Sequence, residues 1–225
     1  MSVLTGLVAW FTDPAHWSGP SGVPIRLGQH VGISLLSVAI AAALAFPVGL
    51  YIGHTRRGQA LAINIANVGR AIPSLAAIAI VVPFTQMIDP GLGFNLYPTI
   101  IAMVVLAIPP ILVNTYAGIA AVDPDLVESA RAMGMTERQI LGRVELPVAV
   151  PVVVGGFRSA SVQVIATATL GAIYGLGALG GYLIEGIAQR DYPRLFAGVV
   201  LVALLALAAE GGLALVQRRL TPRPA

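Results

Sequence analysis

Five long stretches of mainly apolar residues constrain this chain more than any other feature. They cover residues 30–53, 60–84, 97–121, 147–172 and 195–216. A helix needs about 20 such residues to cross the hydrocarbon core of a bilayer. We therefore predict an all-α membrane protein with five transmembrane helices rather than a soluble globule.

The scarcity of charge supports a lipid environment. Only 10% of the 225 residues are charged, 13 of them basic and 10 acidic, whereas soluble domains average about 25%. The chain has no cysteine and no lysine. These absences exclude disulfides, thiol catalysis, Schiff-base chemistry and the lysine of an ATP-binding P-loop. The net charge of +3 suits the basic loops of a membrane protein, so we expect no nucleic-acid partner.

The arginines orient the predicted spans. Eight of them fall on one side of a five-span chain, in the loops after the first and third spans and in the C-terminal tail. Three fall on the other side, namely Arg26, Arg190 and Arg194. Cytoplasmic loops carry the excess of positive charge. We therefore predict a multi-pass protein of the plasma (inner) membrane with its N-terminus outside and its C-terminus in the cytoplasm.

The ends of the chain are interpreted separately from the membrane domain. We assign residues 1–28 to an extracytoplasmic or interfacial segment, residues 29–218 to the transmembrane domain and residues 219–225 to a cytoplasmic tail. Trp10, Phe11 and Trp17 favour a helix in the membrane interface, where aromatic side chains concentrate. The short apolar run there lacks preceding basic residues, so we do not interpret it as a cleavable signal peptide.

Residues 122–147 form a long polar segment between the third and fourth spans, here named the elbow. It holds five of the ten acidic residues. Asp123-Pro124 is typical of a helix start, Gly134 of a helix end and Thr136 of a second start. We expect two short helices that present a knob to a partner protein.

The elbow also has an apolar face and a predicted end. Leu126, Ala130 and Met133 fall on one side of its first helix. The small Ala130 is expected to let this helix sit deep in a groove of another protein. Pro147 is expected to begin the fourth span.

The elbow resembles the EAA motif of ABC importer permease subunits. Glu128-Ser129-Ala130, Gly134 and Leu146-Pro147 stand at the spacing of that motif, with Ser129 replacing its middle alanine. The resemblance implies the type I ABC importer permease fold, in which a coupling helix docks on a separate ATPase. The docking residues it implies are Glu128, Ser129, Ala130, Arg131, Met133, Gly134, Met135, Leu146 and Pro147.

Other stretches resemble the glycine betaine, carnitine and choline branch of these permeases. They are residues 71–76, 110–116 and 118–119, and Arg158 followed by residues 167–170. The resemblance implies import of a small compatible solute such as glycine betaine, choline, carnitine or a proline-like compound. A permease for amino acids such as methionine is the alternative, and an ATP-independent channel or scaffold is a remote one.

The family resemblance implies three protein partners besides membrane lipid. These are an ABC ATPase subunit, a second permease subunit in a homodimer or heterodimer, and an extracytoplasmic substrate-binding protein. The chain itself is expected to bind no cofactor or metal and to catalyse no reaction, with ATP and Mg²⁺ bound by the partner ATPase. We find no HExxH or Ser/His/Asp pattern that would indicate an intramembrane hydrolase.

Glycine patterns have structural interpretations. The GxGxxG match at residues 175–180 lacks the strand and acidic residue that dinucleotide binding requires. We interpret the glycines around it as a pliable outer loop or re-entrant turn. The GxxxG pairs Gly49/Gly53 and Gly171/Gly175 permit close helix contacts.

Polar residues inside the spans are further candidates. The uncharged ones are Asn114, Thr115, Tyr116, Thr167 and Thr169. They either line the translocation pathway or form hydrogen bonds between packed helices.

Charged residues inside the spans need partners or an exit to water. An arginine at mid-bilayer costs roughly 2.5–3.5 kcal/mol on insertion scales. Arg70 and Arg158 should therefore face the protein interior or extend toward the cytoplasm. We predict that Arg158 pairs with Glu210, and independent extension of each side chain to the interface is the alternative.

Overall fold

The computed structural model describes residues 3–220, apart from the side chains of Leu61, Ile65 and Arg70. Residues 221–225 of the predicted tail, and the expected environment of the Arg70 side chain, lie outside the described residues. Every element of regular secondary structure within residues 3–220 is a helix. The all-α prediction is therefore confirmed.

Ten α-helices follow one another along the described chain. Between them lie two 3₁₀ helices, Pro14–Trp17 and Thr169–Tyr174, and a π-helical turn, Leu141–Glu145. The α-helices are α1 (Val3–Thr12), α2 (Val23–Thr55), α3 (Gln59–Ala71), α4 (Ser74–Gln86), α5 (Leu96–Ala120), α6 (Pro124–Ala132), α7 (Glu137–Ile140), α8 (Leu146–Ala168), α9 (Gly180–Gln189) and α10 (Tyr192–Leu220).

Four helical segments among the described residues are long and apolar enough to cross a membrane. They are α2, α5, α10 and the run Glu137–Tyr174 that contains α8. The pair α3 and α4 supplies a fifth span if the broken pair is counted as one. The predicted five-span architecture is therefore present, with an interruption in its second span.

That second span is two helices rather than one. α3 ends at Ala71, and Ile72 has an extended backbone with φ −79° and ψ 119°. The ring of a proline clashes with the backbone of the preceding residue and disfavours its α conformation, so Pro73 pushes Ile72 out of the helix. The sequence predicts one span over residues 60–84, and the structure divides it into two helices at Pro73.

Pro109 and Pro110 behave differently from Pro73. α5 runs through both prolines from Leu96 to Ala120. The Asn114 side chain donates a hydrogen bond of 2.8 Å to the Pro110 carbonyl. This bond adds to the helix at Pro110, whereas the carbonyls that lose an N–H partner are those of Val105 and Leu106, a loss that membrane helices tolerate.

One compact unit forms within the segments Met1–Ser37, Pro73–Val104 and Val162–Ala208. Trp10 is buried in its core, stacked on His16 and edge-on to Tyr182. The side chain of Trp10 therefore holds α1 against this unit, and the interfacial position of the helix stays a prediction.

The glycine-rich stretch before α9 belongs to this unit and is tightly packed. A Cβ atom on Gly180 would lie 2.4 Å from the Thr169 carbonyl oxygen. Gly175 and Gly177 have φ values of +80° and +74°, which glycine adopts without a steric penalty. The close packing at Gly180 contradicts the alternative of a pliable loop, and the alternative of a re-entrant turn stays a prediction.

A second compact unit forms within the segments Val38–Ile72, Val105–Ser161 and Ala209–Ala225. In it α2 packs closely on α5. A Cβ atom on Gly49 would lie 2.7 Å from the Thr115 Cβ, and one on Gly53 would lie 2.6 Å from the Ile119 Cβ. The Gly49/Gly53 pair therefore allows a close helix contact within this chain.

Candidate functional site

The two ends of α6, the first helix of the elbow, are set by local hydrogen bonds. The Asp123 carboxylate caps the start by accepting from a backbone N–H two residues on, at 2.9 Å. At the other end Gly134 N–H donates to the Arg131 carbonyl and Met135 N–H to the Ala130 carbonyl. This pair of bonds is a Schellman motif, and Gly134 has the positive φ, +83°, that the motif requires.

The predicted docking residues do not all face outwards. Ala130 is only 2% exposed, whereas Met133 is 77% exposed. The small Ala130 therefore meets a packing requirement inside this chain, and the expectation that it serves a groove of the partner is corrected. The exposed members of the set are Glu128, Ser129, Arg131, Met133, Gly134 and Pro147, and Met135 and Leu146 are partly buried.

An ion pair joins the two helices of the elbow. Arg131 on α6 donates two hydrogen bonds, of 2.8 and 3.0 Å, to the carboxylate of Glu137 on α7. This bidentate geometry is the strong form of an arginine–carboxylate contact. The hydrogen bond with Glu137 raises the pKa of Arg131 further above its ordinary value. A capping box of Thr136 and Gln139 starts α7, so the turn between the helices is held on both sides.

The end of α2 lies against the elbow through His54. Its Nδ1 is 2.6 Å from a Glu145 carboxylate oxygen, and its Nε2 is 3.2 Å from a Glu137 carboxylate oxygen. Glu145 is 2% exposed. Two residues further on, the Arg56 guanidinium donates to the Ala120 carbonyl at the last residue of α5. The elbow is therefore contacted by α2 through His54, and the segment just after α2 contacts the last residue of α5, two residues before the elbow.

The elbow continues into α8 without a loop. The π-helical turn Leu141–Glu145 leads directly into α8 at Leu146, one residue before the predicted start of the fourth span. Pro147 lacks an N–H and its ring crowds the carbonyl of Arg143. A π-helical turn is one of the usual ways in which a helix accommodates such an interruption. Movement of the elbow and of the start of α8 is thus mechanically linked.

The predicted pathway residues lie in different environments. Thr115 is fully buried against Gly49, and Asn114 is occupied by the Pro110 carbonyl. Thr169 donates to the carbonyl of Ala166. Tyr116 is partly buried and Thr167 is buried. The contacts described for Asn114, Thr115 and Thr169 are those of helix packing.

An apolar cavity of about 350 Å³ lies between α3 and α5. None of the predicted pathway residues lines it. Its lining is Asn64, Val68, Gly69 and Ile72 on one side and Val105, Ile108 and Pro109 on the other. Asn64 supplies a polar side chain there that the sequence analysis did not single out.

Arg158 on α8 and Glu210 on α10 form the pair predicted for them. The Arg158 guanidinium donates to the Glu210 carboxylate and also to the side-chain oxygen of Gln217. Gln217 in turn donates to the Pro151 carbonyl at 2.7 Å. The arginine is therefore held by two groups of α10, of which the sequence analysis identified one.

Sequence reasoning identified Leu126 and Met133 on one face of the first helix of the elbow, and both are exposed, at 46% and 77%. It missed the residues that support the elbow. His54 and Glu145 are 91 residues apart, so no local pattern connects them. The position of His54 just before Arg56 and Arg57, at the end of an apolar stretch, was the available signal.

Comparison with known families gives a match over most of the chain. The family described as "Binding-protein-dependent transport system inner membrane component" matches residues 45–222. The match includes the whole elbow and the ends of α2, α5, α8 and α10 described above.

Curated relatives match nearly the full length. The carnitine transport permease protein OpuCB of Listeria monocytogenes is 34% identical over 220 residues, which are 98% of this chain and 95% of the relative. The choline transport system permease protein OpuBB of Bacillus subtilis (strain 168) is 35% identical over 194 residues, 86% of each chain.

Solved structures share the fold. A chain from the inward-facing conformations of the MetNI methionine ABC transporter matches with a TM-score of 0.78 and 23% identity, covering 94% of this chain and all of that chain. This likeness confirms the predicted type I ABC importer permease fold.

Proposed function

Since the chain belongs to the family of binding-protein-dependent transport system inner membrane components, we propose that this permease imports a small compatible solute of the glycine betaine, choline, carnitine or proline-like type. The observation that carries the proposal is the 34% identity to a carnitine permease over 98% of the chain. Relatives that share one fold, one length and about a third of their residues commonly share a substrate class.

The elbow is the proposed docking site for a separate ABC ATPase. The exposed Leu126 and Met133 give it an apolar contact surface, and Glu128 beside them gives it charge. The chain has no lysine for a P-loop, so ATP and Mg²⁺ would bind the ATPase. Because the elbow leads directly into α8, closure of the ATPases would move a membrane span as a rigid body.

Two further partners belong to the proposal. A second permease subunit, identical or similar, would complete the transport pathway, to which Asn114, Thr115, Tyr116, Thr167 and Thr169 would contribute in another conformation. An extracytoplasmic binding protein would deliver the solute. Quaternary ammonium groups are recognised by aromatic cages, and only 6% of this chain is aromatic, so high-affinity recognition is better assigned to the binding protein.

Uptake by the reconstituted importer tests this function. The permease, its ATPase and its binding protein would be placed in proteoliposomes, and ATP-dependent uptake of radiolabelled glycine betaine, carnitine, choline, proline and methionine would be compared. We expect uptake of at least one quaternary ammonium solute or of proline, and none without ATP. Uptake of methionine alone would contradict the substrate class, and ATP-independent flux would contradict the importer mechanism.

A further inference from the structure

The end of α2 contacts the elbow at two places through one side chain. His54 contacts Glu137 on α7 and Glu145 in the π-helical turn. The segment just after α2 also reaches the helix that leads into the elbow, because Arg56 donates to the carbonyl of Ala120 at the end of α5. Two contacts on the elbow restrict how it turns relative to α2 more than one contact alone would.

The chemistry of the His54 contacts defines its state. An ionised carboxylate only accepts hydrogen bonds, and a neutral imidazole has one N–H to donate. Both ring nitrogens of His54 face carboxylate oxygens, at 2.6 and 3.2 Å. Both contacts are therefore hydrogen bonds at the same time when the ring is an imidazolium. Glu145 is 2% exposed, and a buried carboxylate is costly without a paired charge.

The other charged groups around this contact are arranged in a chain. Glu137 is shared between His54 and Arg131, and Arg131 also lies in the field of Glu128 and Glu145. The described contacts thus join α2, the π-helical turn, α7 and α6 through His54, Glu137 and Arg131.

We propose that His54 is a positioning residue for energy coupling: through its two ring nitrogens it ties the docking elbow to the end of α2, so that movement of the elbow also moves the first span. The proposal rests on the proposed role of the elbow in ATPase docking. It predicts that uptake per ATP hydrolysed falls when the side chain at this position can no longer contact both carboxylates.

The test compares variants in the reconstituted importer. His54→Gln keeps one hydrogen-bond donor and removes the charge, and the double variant His54→Gln/Glu145→Gln also removes the buried carboxylate. A charge-assisted hydrogen bond contributes enough for its loss to lower uptake per ATP by about tenfold in His54→Gln. The double variant, with two neutral groups in contact, should recover assembly. Arg57→Gln, which removes an exposed cation three residues away, is the control and should match the wild type.

The ratio of uptake to ATP hydrolysis separates positioning from a purely structural role. A structural defect would lower the amount of assembled importer, and therefore ATP hydrolysis and uptake together, whereas loss of positioning lowers uptake per ATP. An unchanged ratio in His54→Gln would overturn the proposal. If the wild type neither binds its ATPase nor transports, the proposed function fails instead.

Discussion

At the scale of single residues, Gly134 shows how a motif position is explained by backbone geometry. The glycine has φ +83° and no neighbouring atom within 4 Å of the place where a Cβ would stand. Its conformation closes α6 through the Schellman bonds, and its open side lies next to the exposed Met133. The position therefore tolerates a side chain sterically but exposes it on the proposed docking surface.

Gly134→Asp is expected to insert normally but to lose ATPase association and uptake, because it places a charge where the partner would have to desolvate it. Gly134→Asn is the matched control, since asparagine has the same shape, carries no charge and equally tolerates the left-handed conformation. For each variant, co-purification in mild detergent measures ATPase association, and an uptake assay then measures transport. Uptake at the wild-type rate in Gly134→Asp would remove Gly134 from the docking surface.

The pair of Arg158 and Glu210 gives a second prediction at this scale. Glu210→Gln leaves the guanidinium with Gln217 but without an anion. We expect the melting temperature in detergent to fall by a few degrees. Glu128→Gln, on the exposed face of α6, is the same chemical change at a site with no described salt bridge and should leave the melting temperature unchanged. Equal melting temperatures of the two variants would show that the pair of Arg158 and Glu210 contributes nothing measurable to the stability of the protein.

At the scale of elements, three proline sites have three different outcomes. Pro73 separates α3 from α4, Pro109-Pro110 stays within α5, and Pro147 follows a π-helical turn without breaking the run into α8. Sequence predicts that each proline removes a backbone donor. The same local rule thus has three outcomes in this chain, in which the helix stops, continues or widens.

The close contact of α2 and α5 gives the prediction at this scale. Gly53→Ala would bring a Cβ to 2.6 Å from the Ile119 Cβ, and overpacking of this kind costs about 1–3 kcal/mol. Gly32→Ala on the same helix meets no atom within 4 Å and should not destabilise the protein. Thermal unfolding in detergent compares the two, and equal melting temperatures would contradict close packing at Gly53.

At the scale of the whole molecule, the arginine distribution and the span count both predict the orientation. The absence of cysteine makes it directly testable with single-cysteine variants. Ser21→Cys precedes α2 and Ser129→Cys lies on α6, and both side chains are exposed. A membrane-impermeant thiol reagent should label Ser21→Cys in intact spheroplasts and Ser129→Cys only in inside-out vesicles. The reverse pattern would invert the topology and place the elbow outside.

What the sequence by itself determined is the membrane character, the five apolar spans, the two-helix elbow and the permease resemblance. These features depend on composition, on the length and periodicity of apolar stretches and on helix-capping residues, all of which are visible in the sequence without knowledge of distant contacts. The tertiary structure decided that Ala130 and Trp10 are buried, that Gly180 is closely packed, and that His54 meets Glu137 and Glu145. Each of these outcomes depends on residues brought together from distant parts of the chain, and neither burial nor a contact across 91 residues has a local signature.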